Sequence, residues 1–182
     1  MKLVILVFVL SASTAFAQTS GSDVPTRNHL ASKPCLFDFN RGLVANCILT
    51  TKAGALLIAP KIVRELAFDS HGLASVRSSQ GTWFYVNRRG TVVIADVPIF
   101  DNGPDPFHDG LVRVVVKGKY GFANRRGQLV IPTVYDGAMP FENGHAAVCM
   151  GCTEECSEHD CEHHSFVGGD WSVIDVHGAR VR

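Results

Sequence analysis

A sequence pattern that repeats with a period of about 37 residues constrains the fold of this chain more than any other feature. Residues 81–90, 118–127 and 169–178 align without gaps. Each segment begins with Gly and any residue, continues with an aromatic and three mostly apolar residues, and ends with Asn or Asp, two residues and Gly. A fixed period of this length indicates stacked or radially arranged supersecondary units.

The clearest copy of the unit occupies residues 107–136 and reads as three short strands. Residues 111–116 are rich in β-branched side chains and predict the first strand. A short tip leads to a return strand over residues 120–124, and an Asn-Arg-Arg-Gly turn leads to a third strand over residues 128–131, closed by Pro132. No segment shows a sustained 3.6-residue period. We therefore predict an all-β protein of three-stranded β-meanders with little helix.

About four units are present, and the first and last are atypical. The spacing between the turn glycine and the closing glycine is 12 residues in the first unit, 18 and 17 in the central two, and 34 in the last. The last unit therefore carries an insertion, at about residues 149–167, which we place at its hairpin tip. Repeat positions with a predicted structural role are Trp83, Gly90, Gly110, Tyr120, Gly127, Gly144, Trp171 and Gly178. The aromatic of each unit is interpreted as core, and a row of sugar-binding aromatics is the alternative.

The two ends of the chain resemble two halves of one unit. Residues 34–38 resemble the end of the third unit at 132–136, and residues 178–182 resemble the start of its third strand at 127–131. A closed, propeller-like arrangement would join these halves and hide both sheet edges. An open stack with two terminal caps is the alternative.

The repeat pattern resembles that of the WG-repeat family of bacterial proteins. In the third unit the resemblance rests on Phe107, Gly110, Gly118, Tyr120, Gly121, Asn124, Gly127, Ile131, Pro132, Tyr135 and Asp136. The Trp-Gly pair that names the family is altered here to Trp83-Phe84, Tyr120-Gly121 and Trp171-Ser172. The resemblance covers about residues 35–182. It implies a β-rich repeat protein, often exported, with no agreed catalytic residues.

The first 17 residues have the three parts of a secretory signal peptide. Lys2 is followed by eight apolar residues and by the Ala-Phe-Ala site that ends at Ala17. We expect residues 18–32 to be a flexible lead-in and residues 33–182 to form the repeat domain. The protein is then expected to be exported, periplasmic or secreted, with no membrane span after signal cleavage.

Six cysteines follow the signal sequence, and four of them lie in the insertion. They are Cys35, Cys47, Cys149, Cys152, Cys156 and Cys161. An even number in an exported chain favours disulfides, and we expect Cys35 to pair with Cys47 and the other four to pair among themselves. A metal site, with zinc as the cofactor, or a redox Cys-x-x-Cys motif is the alternative. Its candidate ligands are Cys149, Cys152, Cys156, Cys161, His159, His163 and His164.

Neither charge nor motifs indicate an enzyme or a nucleic-acid-binding protein. The chain has 17 basic and 17 acidic residues, which gives no electrostatic reason to expect nucleic acid as a partner. No catalytic motif is present. The Arg-Arg pairs at 88–89 and 125–126 are interpreted as solvated turn residues, with a basic stripe for an anionic ligand as the alternative. We therefore predict a non-enzymatic binding module without a cofactor, directed at a protein or cell-envelope partner. A metal-binding or thiol-redox protein acting through residues 149–164 is the alternative.

Overall fold

The computed structural model describes residues 29–100, 103–156 and 164–181. The proposed signal peptide and most of the lead-in lie outside these residues. The described chain is almost entirely antiparallel β-structure. Its strands are β1 (His29–Leu36), β2 (Val44–Thr51), β3 (Leu56–Ile58), β4 (Leu73–Ser78), β5 (Trp83–Asn87), β6 (Val92–Val97), β7 (Ile99–Phe100), β8 (Gly103–Pro104), β9 (Leu111–Val116), β10 (Lys119–Asn124), β11 (Leu129–Tyr135), β12 (Gly137–Ala138), β13 (His145–Cys156) and β14 (His164–Asp175). One short helix, α1, spans Pro60–Val63.

The central units are the three-stranded meanders that the sequence predicts. The second unit is β4-β5-β6 and the third is β9-β10-β11. The tip of the third unit is the pair Lys117 and Gly118, whose φ angles are 52° and 72°. Two successive positive φ angles are typical of the two-residue turn that matches strand twist in hairpins. The sequence predicted that the third strand ends before Pro132. Strand β11 instead continues to Tyr135. Proline is tolerated there because β11 pairs with β10 alone and the pairing shifts register on both sides of Phe122.

A side-chain oxygen forms the turn between the second and third strands of the second, third and last units. It accepts hydrogen bonds of 2.8–3.1 Å from the backbone N–H groups two and four residues later. The residues at this position are Asn87, Asn124 and Asp175. A short Asn or Asp side chain satisfies two donors that the turn would otherwise leave unpaired. This explains why the repeat requires Asn or Asp three residues before the closing glycine.

The first unit joins the sheet of the second unit. The strand order is β3-β2-β1-β4-β5-β6, and a bridge between Leu57 and Thr91 brings the two edge strands together, so that the sheet is nearly closed. The Cys35–Cys47 disulfide lies in the apolar core of this N-terminal barrel. Strand β1 begins at His29, inside the expected lead-in, because it pairs with β2 from that residue onward.

The pairing of the terminal segments favours the open stack. Strand β1 pairs with β2 and β4, whereas Arg180 bridges Ile174 within the last unit. Among the described residues, no backbone pairing joins 33–39 to 178–181. In place of the union of half-units that a closed arrangement would require, β1 pairs with the second unit, which satisfies its edge locally.

Consecutive units stack through their closing glycines. The backbone N–H of Ile58 donates to the carbonyl oxygen of Gly90 at 2.7 Å, which joins the first unit to the second. A Cβ atom built on Gly127 would lie 1.9 Å from the carbonyl oxygen of Val93, on the third strand of the preceding unit. A Cβ on Gly178 would lie 3.4 Å from the side chain of Ile131. Each unit therefore places its closing turn on the third strand of the unit before it.

Candidate functional site

The insertion in the last unit extends a hairpin instead of forming a loop. Strands β13 and β14 pair from His145↔Asp175 to Cys156↔His164. The insertion predicted at about residues 149–167 therefore continues both strands of the hairpin, as far as Cys156 and from His164. Pairing lets the two segments satisfy each other's backbone groups, which removes most of the cost of ordering a free loop. We name residues 150–156 and 164–170 the hairpin arm.

A disulfide between Cys149 and Cys152 lies at the base of the arm. Both cysteines are buried. Gly151 and Gly169, which lie between paired residues of the two strands, have φ angles of 75° and 71°. The disulfide therefore clamps a segment of β13 whose backbone leaves the ordinary extended conformation.

Side chains of the third unit hold the arm. The phenol of Tyr120 donates a 2.9 Å hydrogen bond to Oε1 of Glu154, and its ring meets the ring of Phe166 edge to face at 5.3 Å. Burial and the bond to Glu154 raise the pKa of Tyr120 far above its ordinary value. Phe166 also approaches Gly137, where a Cβ would lie 2.6 Å from its ring. The arm thus leaves the body of the protein in one defined direction.

Asp136 binds the arm from the end of the third unit. Its carboxylate accepts a 2.8 Å hydrogen bond from the backbone N–H of Gly151 and forms an ion pair with Lys119. The hydrogen bond from Lys119, with the one from Gly151, holds the pKa of Asp136 below its ordinary value. Asp136 is therefore charged over the physiological pH range and acts as an acceptor at the base of the arm.

The arm exposes polar and acidic groups. Most of its described side chains are exposed, including those of Glu155, Val167 and Asp170. Residues 149–167 contain no Lys or Arg, and their acidic residues are Glu154, Glu155, Glu158, Asp160 and Glu162. Residues 149–167 are consequently the most acidic segment of a chain with equal numbers of acidic and basic residues.

The structure does not support the metal or redox interpretation of this segment. Cys149 and Cys152 form a disulfide, so they offer no thiolate, and their burial keeps them from a partner thiol. Among the side chains that the structure describes, no cluster of His, Cys, Asp and Glu could hold a metal ion. The remaining candidates lie outside those described side chains: Cys156, His159, Cys161, His163 and His164.

The repeated aromatic residues do not share one environment. Trp83 and Tyr120 are each 5% exposed and lie in the apolar core, whereas Trp171 is 40% exposed. Trp171 donates from Nε1 to the carbonyl oxygen of Gly168 at 3.0 Å and lies near Phe166. The last unit therefore differs from the central units at the position that marks the repeat.

The first arginine of each Arg-Arg turn packs on an aromatic ring. Arg88 lies over Phe68 at 4.9 Å, and Arg125 lies over Phe107 at 4.2 Å. Both rings belong to the turn that opens the same unit. These two side chains are thus already engaged within their own units, which favours the turn interpretation over a stripe of free cations.

A buried ion pair between the central units was not predicted from the sequence. Arg113 donates to both carboxylate oxygens of Asp105 at 3.1 and 2.8 Å and to the carbonyl oxygen of Ala138 at 2.8 Å. The hydroxyl of Tyr85 donates to the carbonyl oxygen of Asp105 at 2.8 Å, and burial raises the pKa of Tyr85 to about 12. The signal in the sequence was a lone arginine inside an otherwise apolar strand.

The fold and the repeat turns define an all-β repeat protein built from stacked antiparallel meanders. The family model described as WG containing repeat matches residues 83–120 and residues 120–151. These two adjacent segments are WG repeats, as the sequence pattern predicted. The matches begin at Trp83 and Tyr120, which are the aromatic positions of the second and third units.

Comparison with curated proteins and with solved structures gave no match. Within the described part of the chain, no helix is long and apolar enough to cross a membrane.

Proposed function

We propose that this is an exported, non-enzymatic binding module whose hairpin arm contacts a protein partner of the cell envelope. The observation that carries the proposal is the rigid attachment of an exposed arm. A covalent bond, the Tyr120–Glu154 hydrogen bond and the Asp136–Gly151 hydrogen bond all fix the base of the arm, while most of its described side chains face solvent. A pre-ordered binding element loses less entropy when a partner binds.

The arm offers two strand edges for recognition. Strand β12 pairs with β13 only at Ala138↔Val148 and Gly137↔Cys149, and β14 pairs with β13 on one side. The described strands therefore present backbone donors and acceptors along both outer edges of the arm. A partner segment that adds a strand to such an edge gains backbone hydrogen bonds, and the side chains between them give specificity.

Charge supports a basic partner surface. Residues 149–167 contain five carboxylates and neither Lys nor Arg. A partner rich in Lys or Arg would be attracted to the arm, and its association rate would fall as salt rises. Disulfides in the described residues are compatible with an oxidising compartment, which supports export.

Removal of the arm tests the proposal. We would replace residues 150–170 by a two-residue Gly-containing turn and change Cys149 to Val, the residue at the equivalent position of the third unit. Circular dichroism and thermal unfolding would establish that the shortened protein folds. Immobilised full-length and shortened proteins would then capture partners from an envelope extract, with quantification by mass spectrometry. A partner captured by the full-length protein and lost by the shortened one is the expected result.

A charge variant separates the acidic side chains from the shape of the arm. The changes Glu155→Gln, Glu158→Gln, Asp160→Asn and Glu162→Gln leave Glu154 bound to Tyr120. We expect weaker capture and a flatter dependence on salt. The matched control is Arg89→Gln with Arg126→Gln on the turns of the central units. If the amount of captured partner falls with the turn variant and is unchanged by both arm variants, the binding surface lies on the repeats and the proposal is refuted.

A further inference from the structure

The second and third units each bury one face of their hairpin against the next unit. Each hairpin has one side that carries the repeated aromatic residue of the unit and the residue two positions after it. We name this side the aromatic face of the unit. In the second unit Trp83 and Tyr85 are 5% and 9% exposed, and in the third unit Tyr120 and Phe122 are 5% and 1% exposed. In the last unit the equivalent residues, Trp171 and Val173, are 40% and 43% exposed.

In the second and third units, residues of similar type cover the aromatic face. Val112, Val114 and Ala123 of the third unit share a core cluster with Trp83 and Tyr85. Ala146, Val148 and Ile174 of the last unit share a core cluster with Tyr120 and Phe122. Small and β-branched side chains of one sheet therefore cover the aromatic face of the preceding one, as in sheets that pack face to face.

Within the part of the chain that the structure describes, the last unit has an exposed face that extends across four backbone segments. Met139 lies opposite Ala147, Ala147 lies opposite Val173, and Val173 lies opposite Val181. Residues opposite each other in antiparallel strands project to the same side of the sheet. Met139, Val173 and Val181 are 47%, 43% and 40% exposed, and Trp171 lies in the neighbouring row. We name this surface the end face.

We propose that the end face is a self-association surface, on which the end face of a second copy of this chain packs about a two-fold axis. The interface continues the stacking within the chain, where each aromatic face is covered by apolar residues of a WG-type sheet. A head-to-tail arrangement would need a free covering face. The covering residues of the second unit, which include Ala74, Val76 and Val86, are already buried in the N-terminal barrel. The self-complementary pairing is therefore the one that the repeat leaves open.

The acidic arms select the orientation of the two copies. Each arm continues the strands β13 and β14 that form the end face. If the two arms pointed the same way, the exposed carboxylates of Glu155 and Asp170 in both copies would lie on the same side of the dimer and repel one another. A two-fold axis across the strands separates the arms and directs them to opposite ends of the dimer. The dimer then presents two arms to solvent. The end face is distinct from the arm for which partner binding was proposed above.

Sedimentation velocity of the mature protein tests the proposal. We expect a concentration-dependent shift from one chain to two, with a dissociation constant in the range of roughly 1–100 μM, which is typical of a weak, reversible dimer. Val173→Lys should weaken dimerisation at least tenfold, since a buried lysine without a partner opposes association. The matched control is Ile99→Lys, because Ile99 is also 43% exposed but lies in the second unit. It should leave the dissociation constant unchanged.

Two further measurements keep the proposal open to refutation if Val173→Lys misfolds. Met139→Lys changes a different segment of the same face and should weaken the dimer in the same way. In the unmodified protein, dilution through the transition should increase quenching of Trp171 by acrylamide, whereas the buried Trp83 should not respond. A protein that stays monomeric up to about 1 mM, or a dimer that ignores both end-face variants, would overturn the proposal. Either result would show that this face is covered by something else or by nothing.

Discussion

The third and fourth units share one sequence pattern but have different surroundings. In the third unit the hairpin has a two-residue tip, Tyr120 and Phe122 are buried, and Arg113 forms an ion pair inside the stack. In the fourth unit the hairpin continues into the arm, and Trp171 is exposed. Ala147 stands at the position of Arg113. The comparison teaches that the motif specifies the turns of a unit, whereas the neighbouring units determine what its faces do.

The largest contrast is expected between the closing glycines of the two units. Gly127→Ala should cost about 3–5 kcal/mol or prevent folding, because its Cβ would lie 1.9 Å from the carbonyl oxygen of Val93 and its φ is 77°. Gly178→Ala should cost only about 1–2 kcal/mol, since its φ is 82° but the nearest atom is the side chain of Ile131 at 3.4 Å. Urea denaturation measures both values, and equal costs would show that the glycines do not control stacking.

The buried ion pair gives the next contrast. Arg113→Met should destabilise the protein by about 3–5 kcal/mol, because it leaves the carboxylate of Asp105 buried without its partner. Ala147→Ser, at the equivalent position of the fourth unit, should change the free energy of unfolding by less than about 1 kcal/mol. The double variant Asp105→Asn with Arg113→Met should recover part of the loss. If it recovers nothing, the arginine acts through packing and not through its charge.

The two disulfides should contribute unequally to stability. Loss of Cys35–Cys47, in which the bonded residues are 12 positions apart, should cost about 3 kcal/mol, and loss of Cys149–Cys152, which are 3 apart, should cost about 2 kcal/mol or less. Paired Cys→Ala variants and thermal unfolding check this order.

We also predict that the unmodified mature protein has no free thiol in denaturant, with Cys156 paired to Cys161. Two reactive thiols would contradict that pairing.

Acid should loosen the arm before it affects the central units. The pKa of Asp136 in the folded protein lies below its ordinary value of 3.8, so its contribution is complete above that value and is lost as pH falls through the folded pKa. Hydrogen exchange at the backbone N–H of Gly151 should therefore accelerate, relative to neighbouring amides, as pH falls below about 4. Asp136→Asn should remove this pH dependence. An unchanged profile in the variant would exclude Asp136 as the group responsible.

The turns and strands could be predicted because their causes are local. The Asn or Asp turn residue bonds to backbone groups two and four residues away, and the strand over 111–116 follows from β-branched residues alone. The arm could be recognised only as an insertion, since nothing in residues 149–167 alternates cleanly between apolar and polar side chains. Its pairing depends on the partner strand and on contacts with Tyr120 and Asp136, which are distant in sequence.

Other features could not be read from the sequence because they depend on which unit lies next to which. The first unit merges into the sheet of the second, although its sequence resembles part of a separate unit. The alteration of the Trp-Gly pair in the second unit has a structural reason: Phe84 lies in the core of the N-terminal barrel, whereas at Gly121 a Cβ would lie 2.6 Å from the carbonyl oxygen of Ile131. The same repeat position thus takes a large side chain or none, according to its neighbour.

The closing turn of each unit contacts the third strand of the unit before it, so the number of units sets the length of the stack. The N-terminal barrel and the arm are held at a separation that depends on the number of units between them. Adding one more copy of the 37-residue central unit would use the same glycine contact and the same apolar cover. It would carry the arm about 10 Å farther from the barrel, the usual distance between packed sheets. In this architecture, duplication of a single unit is therefore enough to change the distance between the N-terminal barrel and the arm.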